Sequence, residues 1–408
     1  MKCGLLGRKL GHSYSPQIHA LMADYSYDLF EVEPENVGEW VLHGDYDAMN
    51  VTLPYKKDVI PYLDEIDNIA RRLGSVNTVV RKPDGKIAGH NTDYYGFRSM
   101  VLRSGILMEG KKVLVLGTGG ASATAQAVLA ELGANVVVIS RSGENNYDNL
   151  DRHADAAVIV NTTPVGMYPN TGAAPLDVSR FPKLEGVLDV VYNPSRTQIL
   201  LDAEKLGLKT ENGLWMLVAQ AKQASEFFTG DKLDDSIIAP IHRQLKNQME
   251  NIVLVGMPGS GKSSIGKALA EKTGKTFADA DEKITELAGM PIPEIFAQFG
   301  EEKFREYETE ALSQLCKRSG LVIATGGGCV TRERNYPLLH QNGTIVWLRR
   351  ALDALPTDGR PLSQSQKLSD MYQVRKPMYE HFADVAVDND STIEEVVNQT
   401  MKQLEGEK

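Results

Sequence analysis

The sequence has little cysteine, no excess of positive charge and no long apolar run. Its only cysteines, Cys3, Cys316 and Cys329, have a spacing that fits neither paired metal ligands nor a disulfide framework. The formal net charge of −10 argues against general binding to nucleic acid or to an anionic membrane. No apolar stretch reaches membrane-spanning length, and the N-terminal apolar stretch is too short for a signal peptide. We therefore expect a cytoplasmic protein that meets anionic small molecules with local basic residues.

The chain is long enough for two or three globular units, and its elements alternate between strand and helix. Its 408 residues are 42% hydrophobic and 24% charged, which is typical of globular proteins. Residues 112–142 read as an apolar strand, a glycine turn, an alanine-rich helix and a β-branched strand, and 251–274 begin a second unit of the same kind. A helical stretch at 212–230 and a polar stretch at 242–251 lie between them. The pattern predicts an α/β protein with its main domain boundary in the polar stretch.

The segment GMPGSGKS (256–263) matches the pattern GxxxxGK[ST] between an apolar strand and a helical stretch. In this context, backbone N–H groups cradle phosphates at a helix N-terminus. Lys262 would reach the outer phosphates, and the hydroxyl group of Ser263 would ligate Mg²⁺. We therefore predict that a nucleoside triphosphate binds to this P-loop, which consists of Gly256, Met257, Pro258, Gly259, Ser260, Gly261, Lys262, Ser263 and Ser264.

Further motifs follow the P-loop in a fixed order. They are FADADEKI (277–284), EEKFREYE (301–308), LVIATGGGCV (321–330), DGRPL (358–362) and VRKPMYE (374–380). With its P-loop, DxD, FRxxE, GGG, RPL and RxPxY motifs, the chain over about residues 250–408 resembles shikimate kinase. The resemblance implies a P-loop α/β domain with a parallel sheet that transfers a phosphoryl group from ATP to the 3-hydroxyl of shikimate.

The resemblance also implies which residues hold shikimate. Arg305 and Arg375 would bind its carboxylate, which suits the bidentate geometry of arginine. Gly327 and Gly328 would let the backbone approach the ring. Asp281 would orient or deprotonate the attacking hydroxyl group.

At the nucleotide, the resemblance implies a metal site and a lid. Asp279 would assist Mg²⁺ together with Ser263, and Arg360 would lie over the transferring phosphate. The family usually has a further lid arginine several residues before RPL, where it lies against the adenine. This sequence has leucine, proline and threonine in that region, and its arginines at 349–350 come earlier, in a predicted strand end.

The other glycine turn, GTGGAS (117–122), follows a strand and opens a helix. Ser122 stands where the third glycine of GxGxxG would be, but the strand–turn–helix–strand frame around the turn is complete. The second strand ends at Ser140 and Arg141 rather than at an acidic residue, which favours a 2′-phosphate. We therefore predict NADP(H), held by Gly117, Thr118, Gly119, Gly120, Ala121, Ser140 and Arg141.

Residues 1–248 carry a second ordered set of motifs. They are HSYSP (12–16), NVTLPYK (50–56), VNT (76–78), NTD (91–93), NTTPVGM (161–167), DVVYNP (189–194) and LVAQA (217–221). This part of the chain resembles shikimate dehydrogenase, which implies NADPH-dependent reduction of 3-dehydroshikimate to shikimate. Lys56 and Asp93 would flank the carbon that accepts hydride, and Met167 and Gly213 would lie near the nicotinamide. The implied ring-binding residues are Ser13, Ser15, Thr52, Lys56, Asn77, Asp93, Tyr192 and Gln220.

We therefore predict a bifunctional enzyme of three α/β parts. Residues 1–100 form a substrate-binding domain completed by a helix at about 214–246, residues 101–213 a Rossmann NADP domain, and residues 250–408 a P-loop kinase domain. The expected partners are 3-dehydroshikimate and shikimate, without nucleic acid or membrane, and both a monomer and a homodimer fit the sequence. Two alternatives stay open, namely a quinate/shikimate dehydrogenase fused to another small-molecule kinase, and a protein that keeps one domain only as a ligand sensor.

Overall fold

The structure is a computed structural model that describes residues 1–11, 13–355 and 368–406. By its internal contacts the chain forms two compact units. The first contains residues 1–165, 174–192 and 202–245, and the second contains residues 166–173, 193–201 and 246–408. Of the helices in the described part of the chain, none combines the length and the apolar composition that crossing a bilayer requires.

The strands nearest the N-terminus form a mixed six-stranded sheet in the order β2-β1-β3-β5-β6-β4. The pairs β1/β2, β1/β3 and β4/β6 are parallel, and β3/β5 and β5/β6 are antiparallel. The sheet packs on a core that includes the fully buried side chains of Leu6, Met49 and Tyr55. Its strands are β1 Lys2–Gly7, β2 Ser26–Glu31, β3 Ala48–Val51, β4 Glu65–Ile66, β5 Thr78–Arg81 and β6 Ile87–His90.

A second sheet is fully parallel, in the order β11-β10-β9-β7-β8. Strand β7 lies between β9 and β8, and after Lys112 it is a continuous buried apolar run, as expected for a sheet covered on both faces. The chain passes from β7 to β8 on one side and then to β9 on the other, so a crevice opens where β7 and β9 end. The strands are β7 Lys112–Leu116, β8 Asn135–Ile139, β9 Val158–Asn161, β10 Gly186–Asp189 and β11 Lys209–Glu211.

The second unit contains a third sheet, also parallel, in the order β13-β14-β12-β15-β16. Strand β12 is buried over its whole length and lies at the centre of the sheet. The switch of direction next to β12 again opens a crevice at the carboxyl ends of the strands. The strands are β12 Asn251–Val255, β13 Thr276–Asp279, β14 Leu321–Ala324, β15 Gly343–Arg349 and β16 Val385–Asp388.

The α-helices are numbered here in chain order over the described residues. They are α1 Ser15–Ala20, α2 Val37–His43, α3 Asn68–Leu73, α4 Asp93–Arg103, α5 Gly120–Glu131, α6 Gln198–Lys205, α7 Leu214–Thr229, α8 Ile238–Met249, α9 Lys262–Thr273, α10 Ala280–Ala288, α11 Ile292–Cys316, α12 Asn335–His340, α13 Leu368–Phe382 and α14 Ile393–Gly406. Helix α11 is interrupted at Gly300, whose backbone is not helical.

One local expectation can be compared with the structure. The helix expected at about 214–246 is in fact two helices, α7 and α8, because Gly230 adopts a left-handed conformation that ends α7. Asp234 then accepts a hydrogen bond from the backbone of Ser236 and begins a short 3₁₀ turn before α8. Between β8 and β9 a 3₁₀ segment, Tyr147–His153, is present, so the Rossmann layer has no α-helix there.

The three cysteine thiols are free and buried. Burial raises the pKa of the Cys3 thiol to about 12 and that of Cys329 to about 12, and it also raises the pKa of Cys316. All three groups therefore stay protonated at neutral pH.

Helices α4 and α7 approach each other closely at Gly96. A Cβ atom at Gly96 would lie 2.7 Å from the carbonyl oxygen of Met216 and 3.0 Å from the Cβ atom of Gln220. The absence of a side chain at Gly96 thus allows α4, which begins at Asp93, to pack directly on the helix that carries Gln220.

We predict that Gly96→Ala destabilises the first unit. Overpacking costs about 1–3 kcal/mol, which exceeds the roughly 1 kcal/mol that alanine gains over glycine in a helix. The midpoint of thermal unfolding of the first unit should shift to lower temperature. The matched control is Gly406→Ala, where a Cβ atom would meet nothing within 4 Å. Equal behaviour of the two variants would contradict the packing argument.

Candidate active sites

The first unit contains a cavity of about 540 Å³, the hydroxyl-lined cavity, between the first sheet and helix α7. Its walls come from the ends of β1 and β3, the residue before β5, and the starts of α1 and α4. The lining residues are Leu5, Lys9, Leu10, Gly11, Ser13, Ser15, His19, Asn50, Val51, Thr52, Lys56, Asn77, Asp93, Tyr192, Leu217, Gln220 and Ala221. The structure therefore brings together all eight residues predicted to bind the ring.

An ion pair between Lys56 and Asp93 lies at the wall of this cavity. Lys56 Nζ is 2.6 Å from Asp93 Oδ2, and their side chains are 23% and 10% exposed. Asn77 Nδ2 donates to Asp93 Oδ1 at 2.9 Å, while Asn77 Oδ1 accepts from the backbone N–H of Thr92 at 2.7 Å. The N–H of Val76 donates to the carbonyl group of Lys56 at 2.8 Å, which ties the two chain segments together. The pair is thus held at a fixed place beside the cavity.

The remaining predicted residues offer hydroxyl, phenol and amide groups. Ser13 Oγ accepts from the backbone N–H of Ser15 at 3.2 Å, and both serines are half-buried. The ring of Tyr192 packs edge-on against Tyr14, with centroids 6.3 Å apart, and burial raises the pKa of Tyr192. Gln220 Oε1 is buried and has no hydrogen-bond partner among the described residues. A bound ligand with a hydroxyl donor would satisfy this oxygen.

The sequence reasoning missed His19 and Asn50, which also line the cavity. The ring of His19 stacks on that of Tyr27 at 4.0 Å, and its Nδ1 lies 2.6 Å from Tyr25 Oη. Burial lowers the pKa of His19 to about 3, so its imidazole is neutral. Asn50 Oδ1 accepts from Tyr27 Oη at 2.7 Å. His19 follows the motif HSYSP by three residues and Asn50 begins the motif NVTLPYK, and these positions were the available signal.

The first glycine turn lies at the crevice of the second sheet. Gly117 follows β7 with a φ of 106°, and Gly119 is the N-cap of α5 without any side-chain capping bond. A Cβ atom at Gly119 or Gly120 would meet nothing within 4 Å, so the start of the helix is open. Ser122 Oγ donates to the carbonyl oxygen of Gly117 at 2.7 Å, which explains a serine in place of the third glycine. Thr118 is exposed and Ala121 half-buried in the same turn.

The other residues predicted to bind the dinucleotide belong to separate segments of the chain. Arg141 is exposed just beyond β8, and Ser140 Oγ accepts from the N–H of Gly143 at 2.8 Å, which fixes the turn that carries the arginine. Gly213 is the N-cap of α7, and a Cβ atom there would lie 2.0 Å from the carbonyl oxygen of Val190. Met167 is 45% exposed and lies in the segment 166–173, which belongs to the second unit.

The second unit contains a cavity of about 500 Å³, the P-loop cavity, at the carboxyl ends of the strands of the third sheet. Its residues come from the P-loop, the starts of α10 and α11, the turn after β14, the end of β15 and helix α13. The lining residues are Pro258, Gly259, Gly261, Lys262, Ser263, Ser264, Asp279, Asp281, Ile292, Pro293, Phe296, Phe304, Arg305, Glu308, Thr325, Gly326, Gly327, Gly328, Arg350 and Arg375.

The P-loop turns sharply around the side chain of Lys262. Gly261 has a φ of 90° and is the N-cap of α9, without a side-chain capping bond. Lys262 Nζ donates to the carbonyl oxygens of Gly256 and Met257 at 3.0 and 2.9 Å. Ser260 Oγ is buried and has no hydrogen-bond partner within the described residues. Open backbone N–H groups, a buried ammonium group and an unpaired hydroxyl group fit a polyphosphate.

Hard oxygen ligands lie next to the P-loop. Ser263 Oγ donates to Asp279 Oδ2 at 2.9 Å, and Asp279 Oδ1 accepts from the backbone N–H of Asp281 at 3.0 Å. Magnesium usually keeps several waters and takes one or two protein oxygens together with phosphate oxygens. The hydroxyl and carboxylate pair of Ser263 and Asp279 fits such an ion.

Arg305 is buried and paired within helix α11. Its Nη1 lies 2.8 Å from Glu308 Oε2 and its Nη2 lies 3.1 Å from Glu301 Oε1. Burial raises the pKa of Glu308, and the Arg305 charge opposes that rise. A Cβ atom at Gly328 would lie 2.2 Å from Arg305 Nη2, so this backbone leaves just enough room for the guanidinium group. Glu308 Oε1 is buried and without a partner in the described part of the chain.

Arg375 reaches the same cavity from helix α13. Its Nη1 donates to the carbonyl oxygen of Gly327 at 3.1 Å, and the hydroxyl group of Tyr379 donates to the same oxygen. The two arginines predicted to bind a carboxylate thus meet at the turn Gly327–Gly328, together with Asp281. The predicted lid residue, Arg360, lies outside the described residues.

These features define the class of the protein. A dinucleotide-type glycine turn accompanies a polar cavity with a lysine–aspartate pair, and a P-loop accompanies a cavity with two arginines. The chain therefore combines the fold and site of a dehydrogenase with those of a P-loop kinase.

Comparisons with known proteins identify the families. The family model described as Shikimate kinase matches residues 258–405, and the model described as Shikimate dehydrogenase substrate binding domain matches residues 5–79. A curated relative, Shikimate dehydrogenase (NADP(+)) of Clostridium perfringens, is 39% identical over an alignment of 265 residues, and the match covers 60% of this chain and 97% of the relative.

Two solved structures show the same similarity. A chorismate mutase/shikimate 5-dehydrogenase fusion protein from Clostridium acetobutylicum is 36% identical, with a TM-score of 0.57, covering 60% of this chain and 96% of that one. Shikimate 5-dehydrogenase from Thermus thermophilus in complex with NADP(H) and shikimate is 31% identical, with a TM-score of 0.55, covering 60% and 99%.

The chain belongs to the shikimate dehydrogenase family and carries a shikimate kinase domain after it. It is a bifunctional enzyme of the shikimate pathway, as predicted. The family match of the C-terminal part removes the alternative of an unrelated small-molecule kinase.

The buried His19 predicts how the stability of the first unit depends on pH. Because its pKa falls from about 6.5 in the unfolded chain to about 3 in the folded chain, the unfolded state takes up a proton first as the pH falls. The stability that the folded state gains from burying His19 in its neutral form is fully present above about pH 6.5 and is lost towards about pH 3. Between about pH 7.5 and about pH 5, we expect the free energy of unfolding to fall by about 2 kcal/mol more in the wild type than in His19→Phe.

Urea unfolding measures this difference. The first unit is followed by the fluorescence of Trp40 and Trp215 in a Trp347→Phe background, because Trp347 lies in the second unit. An identical pH response of the two proteins would show that His19 titrates normally.

Proposed function

We propose that the hydroxyl-lined cavity reduces 3-dehydroshikimate to shikimate with NADPH, and that the P-loop cavity phosphorylates the 3-hydroxyl of shikimate with MgATP. One observation supports this most strongly, namely that each unit has its own cavity, lined by the residues predicted to bind the same carboxylated, hydroxylated ring. In this proposal, residues 1–100 with α7 bind the substrate of the reduction, residues 101–213 bind the dinucleotide, and residues 250–408 form the kinase domain.

In the reduction, the Lys56–Asp93 pair acts on the carbonyl group at C3 of the substrate. The oxygen of this group gains negative charge as hydride arrives, and it needs a proton. Lys56 Nζ, held at 2.6 Å from Asp93, donates a hydrogen bond to that oxygen, and the pair supplies the proton. Asn77 fixes the carboxylate of Asp93 through its amide group, so the pair does not have to reorganise during the reaction.

The other groups of this cavity orient the ring. Ser13, Ser15 and Thr52 offer short hydroxyl groups near the start of α1 and after β3, where they bind the carboxylate and hydroxyl groups of the substrate. Tyr192 covers the ring, and the unpaired Oε1 of Gln220 accepts a hydrogen bond from a ring hydroxyl. His19 is neutral, so its imidazole forms an uncharged part of the cavity wall and does not act as the proton donor.

NADPH supplies the hydride. The open N-terminus of α5 at Gly119 and Gly120 fits the pyrophosphate, because backbone N–H groups and the helix dipole favour negative charge there. Arg141 binds the 2′-phosphate beyond β8, which favours NADPH over NADH. Gly213, in the same unit, belongs to the nicotinamide side of this proposed site.

In the kinase reaction, two arginines and one aspartate position shikimate. Arg305 and Arg375 bind its carboxylate, and the exposed carboxylate of Asp281 receives the hydrogen bond of the attacking 3-hydroxyl. Glu308 keeps the guanidinium group of Arg305 in place from the buried side. Catalysis then depends on holding the hydroxyl group in line with the phosphate.

ATP supplies the phosphoryl group, and Mg²⁺ neutralises charge on its phosphates. Lys262 and the backbone N–H groups of the P-loop hold the phosphates, while Ser263 and Asp279 hold the metal ion. The prediction that Arg360 serves the transferring phosphate concerns a residue outside the described part of the chain.

The proposal places the enzyme in the cytoplasm, with small molecules as its partners. The three free, buried thiols suit a reducing compartment. The net charge of −10 disfavours nucleic acid and anionic membranes as partners.

We predict that the two reactions fail separately. Lys56→Ala should lower NADPH-dependent reduction by at least about 100-fold and leave shikimate phosphorylation unchanged, since it removes the proton-donating pair. Lys262→Ala should abolish phosphorylation and leave the reduction unchanged, because it removes the ammonium group from the P-loop. Both rates are measured on each full-length variant, by NADPH absorbance and by formation of ADP.

The matched controls are the exposed lysines Lys57→Ala and Lys267→Ala, one beside each functional lysine. Loss of both reactions from either Lys56→Ala or Lys262→Ala, in a folded protein, would refute the division. Oxidation of quinate as efficiently as of shikimate by the wild type would favour the quinate alternative.

A further prediction concerns the dinucleotide. Arg141→Asp should shift the ratio of kcat/KM for NADPH and NADH towards NADH by about tenfold or more, because a charge-assisted hydrogen bond is worth about 1.5–3 kcal/mol. Arg152→Asp is the control, since Arg152 is exposed in the same unit but lies away from the end of β8. If the ratio does not change in Arg141→Asp, another residue recognises the 2′-phosphate.

A further inference from the structure

Arg350 lies directly after β15, at the carboxyl end of the strands of the third sheet, where the P-loop begins. Strands β12 and β15 are parallel neighbours, with Val255 opposite Trp347. The P-loop follows β12 and Arg350 follows β15, so both lie at the carboxyl ends of these two parallel strands. Parallel strands bring the residues that follow them together in this way.

The two consecutive arginines at this strand end have different surroundings. Arg349 pairs with Asp388, with Nε 2.7 Å from Oδ1, across the neighbouring strand β16. Arg350 lines the P-loop cavity instead, and its Nη1 lies 3.5 Å from the carbonyl oxygen of Gly259.

The described residues satisfy the guanidinium group of Arg350 only in part. Among residues 1–11, 13–355 and 368–406, no carboxylate lies within 4.0 Å of it. A contact of 3.5 Å is at the outer limit of a hydrogen bond, and a guanidinium group has five N–H donors. A half-buried cation with unused donors, beside a loop that holds phosphates, is suited to an anion.

We propose that Arg350 is a further nucleotide-binding residue of the kinase domain, which binds the outer phosphates of ATP and ADP together with Lys262. This inference rests on the proposed function of the P-loop cavity. Gly259 belongs to the turn immediately before α9, and the helix N-terminus directs its N–H groups at the phosphates. A guanidinium group beside that turn therefore meets the outer phosphates rather than the adenine ring.

The position also distinguishes Arg350 from the arginines that serve shikimate. Arg305 and Arg375 contact the turn Gly327–Gly328, through a close packing contact and a hydrogen bond respectively, whereas Arg350 contacts the P-loop. A change at Arg350 should thus affect the nucleotide and leave the affinity for shikimate intact. A loss of nucleotide affinity without a loss of shikimate affinity would indicate a direct ligand contact, because a general structural change would lower both.

The test compares Arg350→Ala with Arg349→Ala in the full-length chain. Binding of ADP is measured by titration calorimetry, which needs no turnover of shikimate. We expect Arg350→Ala to weaken ADP binding by about tenfold or more, as for loss of a charge-assisted hydrogen bond, and to raise KM for MgATP in parallel. KM for shikimate and the rate of reduction should not change. Arg349→Ala should bind ADP like the wild type, and Arg350→Lys should bind with intermediate affinity.

A second ligand locates the contact along the nucleotide. AMP lacks the outer phosphates, so its inhibition constant should be equal in the wild type and in Arg350→Ala. Equal weakening of AMP and ADP, or ADP binding by Arg350→Ala that matches Arg349→Ala, would overturn the proposal. If the wild type binds ADP but does not phosphorylate shikimate, the proposed function fails while the role of Arg350 is still decided by the ADP titration.

Discussion

Both proposed nucleotide sites depend on one constraint, which is that backbone N–H groups reach a phosphate only where no side chain stands in the way. The turns after β7 and β12 meet this constraint with glycines at the start of a helix, at Gly119 and Gly120 and at Gly261. Each turn follows the strand next to the switch point of a parallel sheet, so the strand order places the open helix N-terminus at the crevice. The remaining functional groups are arranged around these two points.

Three cations in the cavities of this acidic chain have specific partners. Lys56 lies against Asp93, Arg305 against Glu308, and Lys262 against loop carbonyl oxygens. Such partners keep a buried cation charged and fixed, because desolvation alone would favour its neutral form or expel it to the surface. The anionic ligands therefore meet prepositioned positive charge without any general positive field around the protein.

The sequence predicted the elements whose function depends on local pattern. The P-loop, the dinucleotide turn and the ordered motifs were recognisable because glycine, lysine and hydroxyl residues stand there at fixed spacings. The family comparisons confirm both families, and the structure gathers all eight predicted ring-binding residues in one cavity. The assignment of roles to those residues stays a prediction.

What the sequence did not predict depends on contacts between distant segments. His19 and Asn50 line the cavity only because β2 and β3 bring Tyr27 next to them. The different surroundings of Arg349 and Arg350 follow from the pairing of β15 with β12 and β16, which no local pattern reveals. The break at Gly230 was visible as a glycine, but the helical spacing on either side concealed it.

The burial of all three thiols has a practical consequence. Since Cys3, Cys316 and Cys329 stay protonated and out of contact with solvent, the native chain offers no reactive sulfur to maleimides. A single cysteine introduced on the surface would therefore carry a fluorophore or spin label at one defined place, without removal of any natural residue. With one such label on each unit, distances between the two units could be followed in solution while the enzyme turns over.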